Sequence, residues 1–291
     1  MYVIFVPLVG GLLTLMNSLN SVLAAKVGNV LSLIIIHAVG LAVLSIIVLF
    51  HAEKGSGVRL PFYYYAGGFV GVGTVLTCNV AYGSLDASLA VALALLGQML
   101  GSIVVDSTGL LGRKKYPLSA RSLPGIALAL VGITVIAGSW EGRLGLMAIA
   151  LVSGVLPSIS FTMNSQLGVA KGVFKSAWYN YAVGLCTTLI LVAILRPNPV
   201  AGAAGLAGTG LVFIVGGGLL GVVMVAATNL IFPRIPALWT TLLMFAGQAL
   251  TGVLIDAVAR GSFSGRKLAG TLIVLAGMSV NAALDRKRTE S

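Results

Sequence analysis

Ten stretches of about 20 residues, apolar through their central parts, constrain this chain more than any motif. They lie near 2–24, 29–50, 62–83, 87–107, 121–140, 143–167, 173–195, 208–232, 236–258 and 266–284. At 1.5 Å per residue, each is long enough as a helix to cross roughly 30 Å of hydrocarbon. Lipid offers no water to a backbone, so only helices or a closed barrel satisfy every N–H and C=O. The runs lack the period-two alternation of barrel strands, which leaves helices. Composition agrees. The chain is 58% hydrophobic and 9% charged, with mean hydropathy +1.06, whereas soluble domains carry about 25% charged residues. All seven acidic residues sit at span ends or in connections. The fold class is all-α integral membrane, with ten transmembrane helices.

The spans repeat. Residues 79–106 and 229–256 align without a gap at an offset of 150, pairing Asn79 with Asn229, Gly97-Gln98 with Gly247-Gln248, and Asp106 with Asp256. Amides and acids are expensive at membrane depth, so composition does not explain their recurrence. Outward, Met16-Asn17-Ser18 matches Met163-Asn164-Ser165 and Ala38-Val39-Gly40-Leu41 matches Ala182-Val183-Gly184-Leu185. Gly125 and Gly132 match Gly270 and Gly277. The expected organisation is a five-helix repeat over 1–141 and a second over 142–291, together one transport domain. Five is odd, so the second repeat enters the membrane upside down. The expected fold is two inverted-topology repeats.

Charge sets the orientation. Twelve of the eighteen Lys and Arg residues fall in even-numbered loops and the C-terminus, six in odd-numbered loops. Both termini are therefore expected to be cytoplasmic, with the first span retained as a signal anchor in the cell (inner) membrane. The net charge of +11 follows from that asymmetry and calls for no nucleic-acid partner. Membrane lipids are the expected surroundings.

The run Gln98-Met99-Leu100-Gly101-Ser102-Ile103-Val104-Val105-Asp106 precedes a basic, Pro-containing loop, and span one carries Leu15-Met16-Asn17-Ser18. With the five-span repeat, these resemble the YdcZ-like branch of the drug/metabolite transporter (DMT) superfamily, in its fused two-repeat, EamA-like form. The resemblance covers nearly the whole chain. It implies ten helices around a central cavity, with the first four helices of each half lining it and the fifth peripheral. It also implies export of small molecules. Where the family pattern has Gln before the Asn of span one, both halves here have Met.

Read by chemistry, the mid-span polar groups are amides and hydroxyls. Thr14, Asn17, Ser18 and Ser21 share one face of span one, which faces protein or a wet cavity rather than lipid. The expected substrate-binding set is Asn17, His37, Asn79, Gln98, Asn164, Trp178, Tyr181, Asn229, Trp239 and Gln248. The amides either hydrogen-bond a substrate or join helices; the deeper aromatics suit an organic substrate or plain packing. Asp106 and Asp256 are expected at opposite membrane faces, as gate or helix-end residues, with Arg260 a favourable i,i+4 partner for Asp256. His37, equivalent to Tyr181, is the one mid-span group that titrates near neutral pH, and any proton coupling would run through it. Pro157 kinks or breaks its span. The two cysteines read as small buried residues.

No hydrolase motif, phosphate loop or metal-ligand cluster is present, so neither catalysis, a cofactor nor a metal is expected. The function expected is a secondary transporter of a small organic metabolite or drug, working by alternating access, with a homodimer compatible. The alternatives are a channel or lipid scramblase, and a membrane scaffold that transports nothing.

Overall fold

Uninterrupted apolar sequence gives helix wherever the computed structural model describes the chain, which is residues 2–51, 53–112, 123–138, 143–196, 199–231, 237–261 and 263–289. Among these residues the helices are α1 (Tyr2–Val27), α2 (Asn29–Phe50), α3 (Gly67–Ser84), α4 (Ala87–Thr108), α5 (Leu123–Ala137) and α6 (Leu144–Lys171). They continue with α7 (Val173–Leu195), α8 (Pro199–Ala207), α9 (Leu211–Ile231), α10 (Ala237–Arg260) and α11 (Gly265–Thr289). No strand occurs among the described residues. Five helices are long and apolar enough to cross a membrane: the segments Phe5–Val27, Asn29–Phe50, Ala87–Val105, Leu144–Lys171 and Val173–Leu195. Shorter apolar stretches lie at Leu123–Ala137, Leu211–Met224 and Leu243–Val258. Large apolar side chains face outward, among them Phe50 at 87% and Leu49 at 80% exposure. Water would penalise that surface and hydrocarbon does not.

One local expectation changes and another narrows. The sequence predicts a plain connection over 196–207, but nine of its residues form α8; Pro199 suits a first helical position because its absent N–H has no intrahelical role there. At Pro157 the helix does not break: α6 runs on to Lys171, as α1 runs through Pro7.

The chain divides into two compact units. One comprises Met1–Leu15, Ser84–Val155 and Leu230–Ser291, the other Met16–Gly83 and Leu156–Asn229.

In the first unit, glycine lets helices touch backbone to backbone. A Cβ on Gly97 would strike the Leu151 carbonyl, and one on Gly154 the Ala94 carbonyl, so α4 and α6 are in van der Waals contact. The same device joins α1 to α10, where Gly247 meets the Pro7 carbonyl and Gly10 the Met244 carbonyl. α5 and α11 pack through Gly132 on the Gly270 carbonyl and Gly277 on the Gly125 carbonyl, each 2.6 Å from the would-be Cβ. As residue number rises on α5 it falls on α11, so these helices are antiparallel.

In the second unit α2 and α7 cross by reciprocal insertion. The His37 ring fills the space above Gly184, and the Tyr181 ring the space above Gly40. One turn or so further, the Trp178 indole Nε1–H donates to Ser45 Oγ at 2.8 Å. These contacts also run antiparallel. The chain enters α2 and α7 through Gly28 and Gly172, with φ of 84° and 98°, a left-handed region where side chains with a Cβ are strained. The α2–α3 connection then folds over the α6–α7 junction. Glu53 caps α7 by accepting from the Phe174 N–H at 2.7 Å, and Ser56 N–H donates to the Val169 carbonyl at 3.0 Å. Gly55 lies on the Ala170 carbonyl as Gly205 of α8 lies on the Lys26 carbonyl.

Candidate substrate-binding residues

In the second unit, α3 begins with Gly67 and Gly68, and their bare surface admits two asparagines. Asn164 of α6 lies against Gly67, and the Asn180 carbonyl of α7 against Gly68. The Asn164 amide donates to Asn180 Oδ1 at 3.2 Å and to Ser160 Oγ at 3.3 Å. Ser160 Oγ donates in turn to the Gly67 carbonyl at 3.1 Å, and Ser176 Oγ to the Asn164 carbonyl at 2.8 Å. Asn164 is therefore a junction of three helices at which both amide N–H groups are used.

The equivalent junction in the other half uses α9. Gly217 and Gly218 take the places of Gly67 and Gly68, and the side chain resting on Gly217 is Asn20. This shifts the repeat register. Met16-Asn17-Ser18 matches Met163-Asn164-Ser165 at an offset of 147, but the contacts, the helix ends Val27 and Lys171, and the glycines 28 and 172 all correspond at 144. Asn20, not Asn17, occupies the position of Asn164. A slip of three residues is close to one helical turn and keeps the same face, so a local identity can outvote the true register.

The two junctions differ in chemistry. At the places of Ser160 and Asn180 the first half has Met16 and Ile36. Asn20 is 2% exposed, and its Oδ1 has no hydrogen-bond partner. Asn79 of α3 donates its amide to Ser32 Oγ at 3.4 Å, leaving Oδ1 unpartnered at 4% residue exposure. Asn17 is half-buried. His37, 4% exposed, has Nδ1 2.8 Å from the Leu33 carbonyl. A carbonyl only accepts, so Nδ1 donates in this contact. Its ring meets Tyr181 edge to face, centroids 5.8 Å apart. Trp178 packs with Phe174 and Ile47 against Leu44 and Tyr181. The predicted residues His37, Trp178 and Tyr181 thus meet along the α2–α7 seam, whereas Asn79 and Asn164 sit in separate polar contacts.

In the first unit Gln248 of α10 is 4% exposed, with Nε2 unpartnered. Its backbone carbonyl accepts from Thr14 Oγ1 at 3.2 Å. Gln98 on α4 is half-buried. The repeated Gly-Gln pair is thereby half explained, since Gly97 and Gly247 are the backbone contacts described above.

Asp256 is buried and clasps three helices. Its Oδ1 accepts from the Ala87 N–H at 2.7 Å, and its Oδ2 from Ser88 N–H at 3.1 Å and Ser88 Oγ at 2.5 Å, so it caps α4. Lys267 of α11 lies 2.9 Å from Asp256 and 3.1 Å from Asp86. A cation on Asp256 is Lys267, a partner the sequence reading does not name; the expected i,i+4 partner, Arg260, has its side chain outside the described residues. The side chains of Asp106, Asn229 and Trp239 lie outside them as well. Cys78 is buried and Cys186 is exposed, against the expectation that both are buried. Among the described residues no group of His, Cys, Asp and Glu could hold a metal.

Apolar helices and outward-facing hydrophobic side chains define an all-helical integral membrane protein. The chain belongs to the YdcZ branch of the drug/metabolite transporter superfamily: the family described as "Putative inner membrane exporter, YdcZ" matches residues 1–135 and again 145–280. A solved structure described as "Crystal structure of protein" is similar in fold. Its TM-score is 0.61 at 16% identity, covering 97% of this chain and 98% of the other. No curated protein matches the chain.

Proposed function

We propose that the protein is a secondary transporter that exports a small organic metabolite or drug by alternating access. The observation that carries this is the antiparallel packing of equivalent helices. α2 and α7, like α5 and α11, occupy matching places in the two family segments and run in opposite directions against each other. Antiparallel equivalents support ten spans in two inverted repeats, a symmetry in which one sequence unit serves both faces of the membrane. Both termini are cytoplasmic in this arrangement, following the distribution of Lys and Arg. The mid-span amides bind the substrate, with Gln98 and Gln248 foremost, and Asn79, Asn229 and the aromatic groups contribute. Unpartnered buried atoms on Asn79 and Gln248 support that role over simple helix joining, because a joining amide gains only when its bonds are made.

Counterflow into proteoliposomes tests the proposal. Labelled amines, amino acids and sugars are offered outside against an unlabelled internal pool. A carrier gives a transient overshoot for at least one solute, and Gln98→Ala or Gln248→Ala abolishes it while the protein still inserts. The same vesicles under an imposed pH gradient report coupling, with His37→Gln losing the response if the proton passes through His37. Equilibration without overshoot for every solute would mean a pore, and no flux at all a scaffold.

A further inference from the structure

The two amide junctions of the second unit are the same construction with opposite outcomes. Asn164 is tied by Ser160 and Asn180. In the equivalent place Asn20 has Met16 and Ile36 where those two residues stand, and it keeps a buried, unpartnered Oδ1. An oxygen stripped of water without a replacement bond is destabilising. Leucine would fill the site without that cost.

The surroundings of Asn20 indicate what would satisfy it. Gly217 and Gly221 lie one turn apart on α9. Asn20 Oδ1 rests on Gly217, and the Tyr181 hydroxyl rests on Gly221, where a Cβ would also lie 3.6 Å from Met16 Sδ. One face of α9 thus collects an amide oxygen, a phenol and a polarisable thioether. Every formal charge in this unit lies at a helix end or in a connection, so no buried cation is available to receive an anionic ligand, which would be desolvated without compensation.

We propose that Asn20, with Met16 and Tyr181 beside it, is a recognition site for the N–H donor of a small organic ligand, an ammonium, amidinium or amide. The N–H donates to Asn20 Oδ1, while sulfur and aromatic ring contact the adjoining apolar part. This assigns a substrate class to the transport function proposed above and takes its physiological sense from it. Asn164 holds helices together, and the equivalent Asn20 holds ligand.

The test uses the purified full-length protein in detergent micelles and three probes: benzamidinium, benzyltrimethylammonium, which keeps ring and charge but has no N–H, and benzoate. Benzamidinium should raise the melting temperature and bind by calorimetry, and the other two should not. Asn20→Leu should weaken benzamidinium at least tenfold, yet melt, without ligand, at or above the wild type. Asn20→Ala, which adds no bulk against Gly217, should lose binding likewise. Asn164→Leu should melt lower than wild type because it breaks made bonds. The proposal is overturned if benzyltrimethylammonium or benzoate binds as well as benzamidinium, or if benzamidinium does not bind. It is equally overturned if both Asn20 variants retain binding, or if Asn20→Leu melts as low as Asn164→Leu. Binding without counterflow of any solute would sink the carrier and leave this site standing; counterflow of other solutes with no benzamidinium binding would do the reverse.

Discussion

Removing the Asp256 carboxylate should destabilise the first unit more than any other single polar deletion among its described residues. Asp256→Ala strands the Ala87 and Ser88 N–H groups, the Ser88 hydroxyl and one side of Lys267. Hydrogen bonds to a charged group contribute about 1.5–3 kcal/mol each and are not additive. Breaking a buried ion pair from one side costs about 3–5 kcal/mol. Here Lys267 retains Asp86 at 3.1 Å, so the lower end, about 3 kcal/mol, is expected. Lys267→Met leaves Asp256 its three donors on α4 and should cost about 1–2 kcal/mol on the same reasoning. The double variant removes the stranded cation together with its partner. It should therefore be no less stable than Asp256→Ala, with a coupling energy of about 1–2 kcal/mol in the double-mutant cycle. Unfolding in detergent, by denaturant titration and by heat, reads all four proteins. Both ionic side chains are at most 9% exposed, so 0.5 M salt should change little. An Asp256→Ala loss below about 0.5 kcal/mol, or strict additivity in the cycle, would refute the clasp.

Two further outcomes follow from the helix contacts and the charge distribution. Gly184→Ala should cost about 1–3 kcal/mol by overpacking, because its Cβ would overlap the His37 ring; His37→Ala in the same chain should recover most of it, and absence of rescue would show that the ring does not sit there. A reporter cysteine at Lys114 should be shielded from an impermeant thiol reagent in intact cells, and one at Arg196 should react, whereas the opposite pattern reverses the orientation.

The helical, membrane-spanning character of the chain was legible because it rests on a physical cost that every residue in an apolar segment must meet. A charged side chain at depth or an unbonded backbone is penalised wherever it falls, so the pattern survives without knowledge of neighbours. Partner choice is a different matter. Asp256 reaches across to the start of α4 and to Lys267 of α11, and neither partner is a neighbour along its own helix. That placement is set by how α4 and α10 pack, with Gly252 making room where a Cβ would lie 3.2 Å from the Ser88 Cα. Nothing local to α10 encodes it. The register of span one failed for a related reason. Met16-Asn17-Ser18 is a three-letter identity, while the true register depends on which asparagine meets Gly217, a residue some two hundred positions away. Once 144 is the offset, however, the sequence alone distinguishes the two junctions: Ser160 and Asn180 become Met16 and Ile36, and an asparagine between two apolar residues at that depth has lost its partners. The repeat symmetry therefore identifies this site through the positions where the halves disagree. The glycines Gly97 and Gly247 agree for a different reason, since each half needs the same close backbone contact there.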